Sequence, residues 1–222
     1  MSNPKILLVE GDTEKRLIPE LMEQNGINWG VKKKTVVDIK AFGGYQRVTI
    51  EDAISTAFKN SDLTALGIVV DADEFPKRRW QSIRNICLQK ISNIPDPLPE
   101  TGLIMPNAEV NEISDKIKFG IWMMPDNKER GMLETFLAYL LPDTGDAEDP
   151  LWGYTEEAIA QAKQKGAPFK DVHRDKAKIH TWLAWQDEPG RQLHQAVKQR
   201  ILDPNHPRGQ AFVRWFKALY DL

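Results

Sequence analysis

The chain has 222 residues, 41% hydrophobic and 28% charged, with a formal net charge of −2, the proportions of an ordinary globular protein. No run approaches the roughly 20 apolar residues that a membrane helix needs, and the near-neutral charge argues against a general polycation. A single cysteine, Cys87, excludes an internal disulfide and fits a reducing cytoplasm. Met1 to Lys5 lead straight into an apolar run, so no signal peptide is expected.

The small net charge hides an asymmetry. Residues 1–164 carry 19 Lys and Arg against 26 Asp and Glu, whereas residues 165–222 carry 11 against 6 and hold all four histidines. An acidic first part joined to a basic second part suits a phosphate-bearing substrate. A solvated basic surface is the plainer alternative.

Lys5-Ile6-Leu7-Leu8-Val9-Glu10 is too short for a helix and reads as a buried strand. From Thr13 a helix is predicted, with Leu17, Ile18, Leu21 and Met22 on one face, ending near Gly26. Val36 to Ile39 is the next strand, followed by a turn at Phe42-Gly43-Gly44-Tyr45 and a helix over 47–59. A loop is expected at Lys32 to Lys34. Leu66 to Asp71 is a strand, and Pro76 opens a helix through Trp80, Ile83, Ile86, Cys87 and Ile91. Gly102 to Met105 is a short strand and Phe119 to Met124 a clearer one. Met132 to Leu141 is helical, with an apolar stripe at Leu133, Phe136, Leu137, Leu140 and Leu141. Residues 142–154 are rich in Pro, Gly and Asp and read as a connector. Helices are predicted at 155–164, 175–186, 191–201 and 208–220, their Trp182, Trp185, Phe212, Trp215 and Phe216 packing on the rest. The alternation of strand and helix predicts an open, mostly parallel, doubly wound α/β sheet over residues 1–141. Residues 155–222 form a helical extension packed on that core.

Two strands deliver acids at their C-terminal ends, where open α/β sheets bind ligands. The first ends in Glu10-Gly11-Asp12-Thr13-Glu14 and the other in Asp71-Ala72-Asp73-Glu74. Residues i and i+2 of a strand face the same way, so Asp71 and Asp73 are expected to share one site. Two close anions repel, and a divalent cation relieves the repulsion. With no Cys or His among them, these are hard-oxygen donors suited to Mg²⁺ or Mn²⁺. Glu14, one helical turn on, either joins that site or complements the helix dipole, and Asp12 or Thr13 serves as the helix cap.

Ile6-Leu7-Leu8-Val9-Glu10-Gly11, followed about sixty residues later by Val69-Val70-Asp71-Ala72-Asp73, resembles the TOPRIM domain. That domain is shared by topoisomerases, bacterial primases, recombination proteins and the OLD-family nucleases. The resemblance implies a Rossmann-like TOPRIM sheet with Glu10, Asp71 and Asp73 as catalytic, metal-binding positions. The spacing of Glu10 and Glu14 is most similar to the OLD branch, where the second position is also acidic. That branch implies a further acid, for which Glu134 and Asp126 are the candidates, and a catalytic lysine, for which Lys178 or Lys176 is the candidate. It also implies a separate ATPase partner for any nucleotide-gated activity, because the chain itself carries no ATPase domain.

Lys77-Arg78-Arg79-Trp80, just after the second acidic motif, reads as basic residues able to grip a nucleic-acid backbone beside an aromatic that stacks or packs. The expected function is therefore a Mg²⁺-dependent nuclease acting on nucleic acid, DNA ahead of RNA, in the cytoplasm. A receiver-like phosphoacceptor switch and a non-catalytic nucleic-acid or protein-binding module are the alternatives. His173 and His180, without a third ligand nearby, do not make a zinc site.

Overall fold

The computed structural model describes residues 3–31, 34–44, 47–111, 116–142 and 149–222. Lys32, Lys33, Tyr45 and residues 143–148 of the expected connector lie outside them. Strand β1 (Lys5–Val9) sits between β2 (Asp38–Ala41) and β3 (Ala65–Asp71), and the order β2-β1-β3-β5-β4 is completed by β4 (Leu103–Ala108) and β5 (Ile117–Met124). The β1–β2, β1–β3 and β3–β5 pairs are parallel and β4 is antiparallel to β5. The open, mostly parallel sheet predicted from the strand–helix alternation is the fold observed.

Alternation along each strand divides the interior in two. Leu7, Val9, Val69, Trp122 and Met124 face one layer, and Ile6, Leu8, Leu66, Ile68, Val70 and Ile121 face the other. The first layer holds the apolar sides of α1 (Asp12–Gln24), α4 (Leu133–Ala138), α6 (Arg174–Ala184), α7 (Leu193–Lys198) and α8 (Gln210–Tyr220). The second holds α2 (Arg47–Phe58) and α3 (Pro76–Cys87). Helix α5 (Pro150–Gln164) packs on α6.

The C-terminal helices thus complete one face of the sheet. Gly67 and Gly120 make room for α8: a Cβ on Gly67 would lie 2.5 Å from the Tyr220 hydroxyl, and one on Gly120 would lie 2.9 Å from Leu219 Cδ2. The Tyr220 hydroxyl, buried beneath the sheet, donates to the Ile6 carbonyl at 2.7 Å.

Two predicted boundaries and one predicted core residue differ in the fold. Ladder pairing of β2 begins at Asp38, opposite Ile6, because the Val36 N–H donates to the Trp29 carbonyl instead. Helix α5 begins at Pro150, inside the expected connector: Asp149 caps it by accepting the Leu151 N–H at 2.8 Å and takes the Trp182 indole N–H at 2.9 Å. Trp185 is 39% exposed and stacks on Tyr154 at 5.4 Å rather than joining the core. Among the described residues no helix is long and apolar enough to cross a membrane.

Candidate functional site

The order β2-β1-β3 places the topological switch point between β1 and β3, where a crevice opens beyond the strand ends. Val9 lies opposite Val69, so Glu10 and Asp71 leave the sheet at the same edge. They are joined there: Glu10 Oε1 accepts the Asp71 backbone N–H at 2.9 Å. Asp71 Oδ1 in turn accepts the Leu133 N–H at 3.0 Å, tying β3 to the first turn of α4. That turn carries Glu134, which is buried and pairs with Lys176 on α6 at 3.1 Å. Glu14, in the first turn of α1, is buried as well.

Arg79, in the first turn of α3, organises the other side. Its Nε donates to the Asp71 carbonyl at 2.7 Å. Its Nη2 lies 3.1 Å from Glu10 and 2.7 Å from Asp73. The guanidinium fork thus holds one backbone oxygen and two carboxylates at once.

Crowding acids into a buried crevice raises their proton affinity. Glu10 is pushed up to about 7, first by burial and then by the charges of Asp73 and Glu14, against the pull of Arg79 and the Asp71 N–H. Burial followed by the charges of Glu10, Glu14, Glu134 and Asp73 raises Asp71 well above the usual carboxylate range. Glu14 is raised by burial, then by Glu134, although the N–H groups of Glu14 and Gly11 oppose this. Although an ion pair 3.1 Å long links Glu10 to Arg79, burial outweighs it because the Glu10 carboxylate is largely withdrawn from water.

Glu10, Glu14, Asp71 and Glu134 are therefore electrostatic neighbours in one crevice, with Asp73 at its exposed rim. Among the described residues, no three His, Cys, Asp or Glu side chains converge closely enough to form a ready-made metal cage. The oxygen-only donors suit a hard cation, but Arg79 stands between Glu10 and Asp73 as their present counter-charge.

Several expected site residues lie elsewhere. Lys178 points away from the acids: its Nζ is 3.2 Å from Glu156 and 4.1 Å from the centre of the Trp152 ring. Lys176, two positions earlier and so on another side of α6, is the lysine at the site. Asp126 organises a turn, accepting the Lys128 and Glu129 N–H groups and the Tyr139 hydroxyl. Arg79 is not on a basic surface with Lys77 and Arg78, which are exposed; it is 8% exposed and committed to the acids. Asp73 does not continue the strand beside Asp71. Its φ of 54° turns the chain, and it exchanges backbone hydrogen bonds with Gly131. The Gly44 N–H is taken by the Glu10 carbonyl at 2.8 Å, so the predicted Gly43-Gly44 turn supports the end of β1. The role of Arg79 had one sequence signal: it precedes Ile83 and Ile86 by four and seven positions, so its charge falls on the apolar face of a helix.

Clefts flank the crevice. One of about 770 Å³ is lined by Asp73, Phe75, Arg78, Arg79, Arg130 and Arg174, among others. Phe75 there is 54% exposed and has the Arg78 guanidinium 5.1 Å from its ring centre. The other, of about 420 Å³, lies on the Glu134 and Lys176 side.

Fold and site together define an open α/β protein with a buried carboxylate cluster at the switch point of its sheet. The chain belongs to the family described as "Protein of unknown function (DUF3226)", whose model matches residues 4–221. No curated protein matches it. Among solved structures it is similar to the hypothetical protein PH0156 from Pyrococcus horikoshii OT3, with 16% identity and a TM-score of 0.52 over 97% of this chain and 94% of that one. At that identity the likeness carries the fold alone.

Proposed function

We propose that the protein is a Mg²⁺- or Mn²⁺-dependent enzyme of TOPRIM type that cleaves nucleic-acid phosphodiesters, DNA ahead of RNA. The observation that carries this reading is the gathering of Glu10, Asp71, Glu14 and Glu134 in one buried crevice at the sheet's switch point, where the first two have strongly raised proton affinity. Such a cluster is costly unless a cation or protons neutralise it. The TOPRIM-like order of the Glu10 and Asp71-x-Asp73 motifs supports it independently.

Glu10, Asp71 and Asp73 would hold the ion, backed by Glu14 and Glu134. The bound ion would supply Lewis acidity toward a phosphodiester oxygen and the attacking water. The chain's own groups do the rest. The Leu133 N–H fixes one Asp71 oxygen and leaves the other for a ligand. Arg79 holds Glu10 and Asp73 in place when they lack another cation, and Lys176 offsets the charge of Glu134. Arg78, Arg130 and the exposed Phe75 offer cationic and stacking contacts to a strand. The protein would act in the cytoplasm, and a separate ATPase would supply any nucleotide gating.

A second reading, a binding module without catalysis, is favoured by Arg79 already neutralising two of the acids. Incubation with plasmid, linear and single-stranded DNA and with RNA, in Mg²⁺, Mn²⁺ or EDTA, separates the two. The enzyme reading predicts cation-dependent cleavage abolished by Asp71→Asn/Asp73→Asn. Binding without cleavage supports the module, and equal cleavage by both proteins rejects the site.

A further inference from the structure

The smaller cleft, of about 420 Å³, lies between the first turns of α1 and α4, the side of α6 and the loop entering α7. We propose that it is a phosphate subsite for the nucleic-acid strand, taking a phosphoryl group that flanks the one held at the carboxylates. The nature of the ligand rests on the nuclease reading; its being an anion site rests on the cleft itself.

Arg16, Lys176, Arg191, His180 and His194 all line this space. The carboxylates facing it are Asp12 and Glu134, and Glu134 is already engaged by Lys176 at 3.1 Å. The residues come from opposite ends of the chain, so their convergence is a product of the fold and not of a local charge run.

Arg191 is the most enclosed arginine of this cleft. Its side chain is only 19% exposed, and its Nη2 is 3.7 Å from Glu188, a carboxylate that is itself 82% exposed. Its Nε is fully enclosed and has no hydrogen-bond partner among the described residues. A counter-charge as distant and exposed as Glu188 leaves the guanidinium end available, and a phosphoryl group can engage it with charge-assisted hydrogen bonds. Arg16 is exposed on α1 and makes no ion pair among the described residues, so it is free to close over the same group. The imidazoles of His180 and His194 supply further N–H donors. The volume is near the low end for small-molecule sites, about 300–1,000 Å³, which suits a phosphate with its sugar better than a whole folded ligand. Glu134 lines this cleft and is also an electrostatic neighbour of Asp71. Glu134 is thus common to the cleft and the carboxylate crevice, and under this proposal the strand would run from one to the other.

The test uses the full chain with ¹³C-labelled histidine rings, titrated in EDTA and followed by NMR. The probes are a dinucleotide with a 5′-phosphate, the same dinucleotide without it, and inorganic phosphate. Expected is a shift of the His180 and His194 signals with the phosphorylated dinucleotide and, more weakly, with inorganic phosphate, while His173 and His206, outside the cleft, stay in place. Arg16→Gln/Arg191→Gln should weaken binding about tenfold or more. Arg16→Gln alone, at an exposed position, should lose part of the affinity with an unchanged melting temperature, so misfolding cannot account for the effect. Equal affinity in wild type and the double variant, or equal shifts with the unphosphorylated dinucleotide, overturns the subsite. Because EDTA removes the cation, this outcome is independent of cleavage: failure here leaves the carboxylate site standing, and failure of cleavage leaves this binding standing.

Discussion

Arg79 Nη2 lies 3.1 Å from Glu10 Oε1 across 69 residues of sequence. This contact joins the first turn of α3 to the end of β1 and holds a positive charge among acids that would otherwise repel one another. Arg79→Ala should destabilise the protein by about 3–5 kcal/mol at neutral pH, the usual cost of orphaning a buried charge. Urea denaturation should show a smaller loss at pH 5, where protons replace the missing cation. Arg79→Lys should recover only part, because an ammonium cannot span the Asp71 carbonyl and both carboxylates in one fork.

Glu10 makes stability depend on pH in a defined direction. Its proton affinity is raised from 4.5 to about 7 in the fold, first by burial. Below the unfolded value both states hold the proton and its contribution to stability is complete. As pH rises toward 7 the unfolded chain loses the proton while the folded one keeps it, so stability falls. The loss from this residue is on the order of 3 kcal/mol once the pH has passed the folded value. The raised values of Asp71 and Glu14 act in the same direction. Denaturation midpoints measured from pH 4.5 to 8 should therefore fall, and Glu10→Gln should flatten the profile.

The lysines of α6 should separate by role. Lys176→Ala removes the partner of Glu134 and should lower cleavage about tenfold or more if its charge acts at the site. Lys178→Ala removes contacts with Glu156 and the Trp152 ring. It should cost about 0.5–1 kcal/mol of stability and leave cleavage within about twofold. Turnover and melting curves of the two variants make the comparison.

Close packing of α8 on the sheet yields a prediction about the fold. A Cβ at Gly67 would meet the Tyr220 hydroxyl at 2.5 Å and Leu7 Cδ1 at 2.8 Å. Gly67→Ala should therefore cost about 1–3 kcal/mol through overpacking. Tyr220→Phe, which removes the hydroxyl that donates to the Ile6 carbonyl, should cost about 1 kcal/mol. Chemical denaturation of both variants checks this.

Residues Lys5 to Glu10 and Leu66 to Asp71 showed in sequence what the fold uses: apolar runs too short for helices, each ending in an acid at one sheet edge. That pattern is legible because parallel strands are buried on both faces and ligand-facing groups cluster at their C-terminal ends. The partners of those acids were less legible. Arg79 looked like part of a basic run because Lys77 and Arg78 precede it, yet helical phase turns it inward while they face solvent. Asp73 looked like a strand neighbour of Asp71, but the strand stops and a left-handed turn carries Asp73 to the rim. Lys176 and Lys178 differ only in which side of α6 they occupy, and tertiary packing decides that. The basic cleft is assembled from Arg16 and Arg191, which no local pattern could bring together.

The proposed chemistry requires that the acids at the ends of β1 and β3 bind a divalent cation. Calorimetric titration with Mn²⁺ near pH 7, in buffers of different ionisation enthalpy, tests it most directly. Saturable binding with net proton release is expected, since Glu10 at about 7 and the raised Asp71 must give up protons to become ligands. Both the binding and the proton release should be lost in Asp71→Asn, whose side-chain oxygen can still accept the Leu133 N–H. No binding at millimolar Mn²⁺, or the same binding in Asp71→Asn, would contradict it.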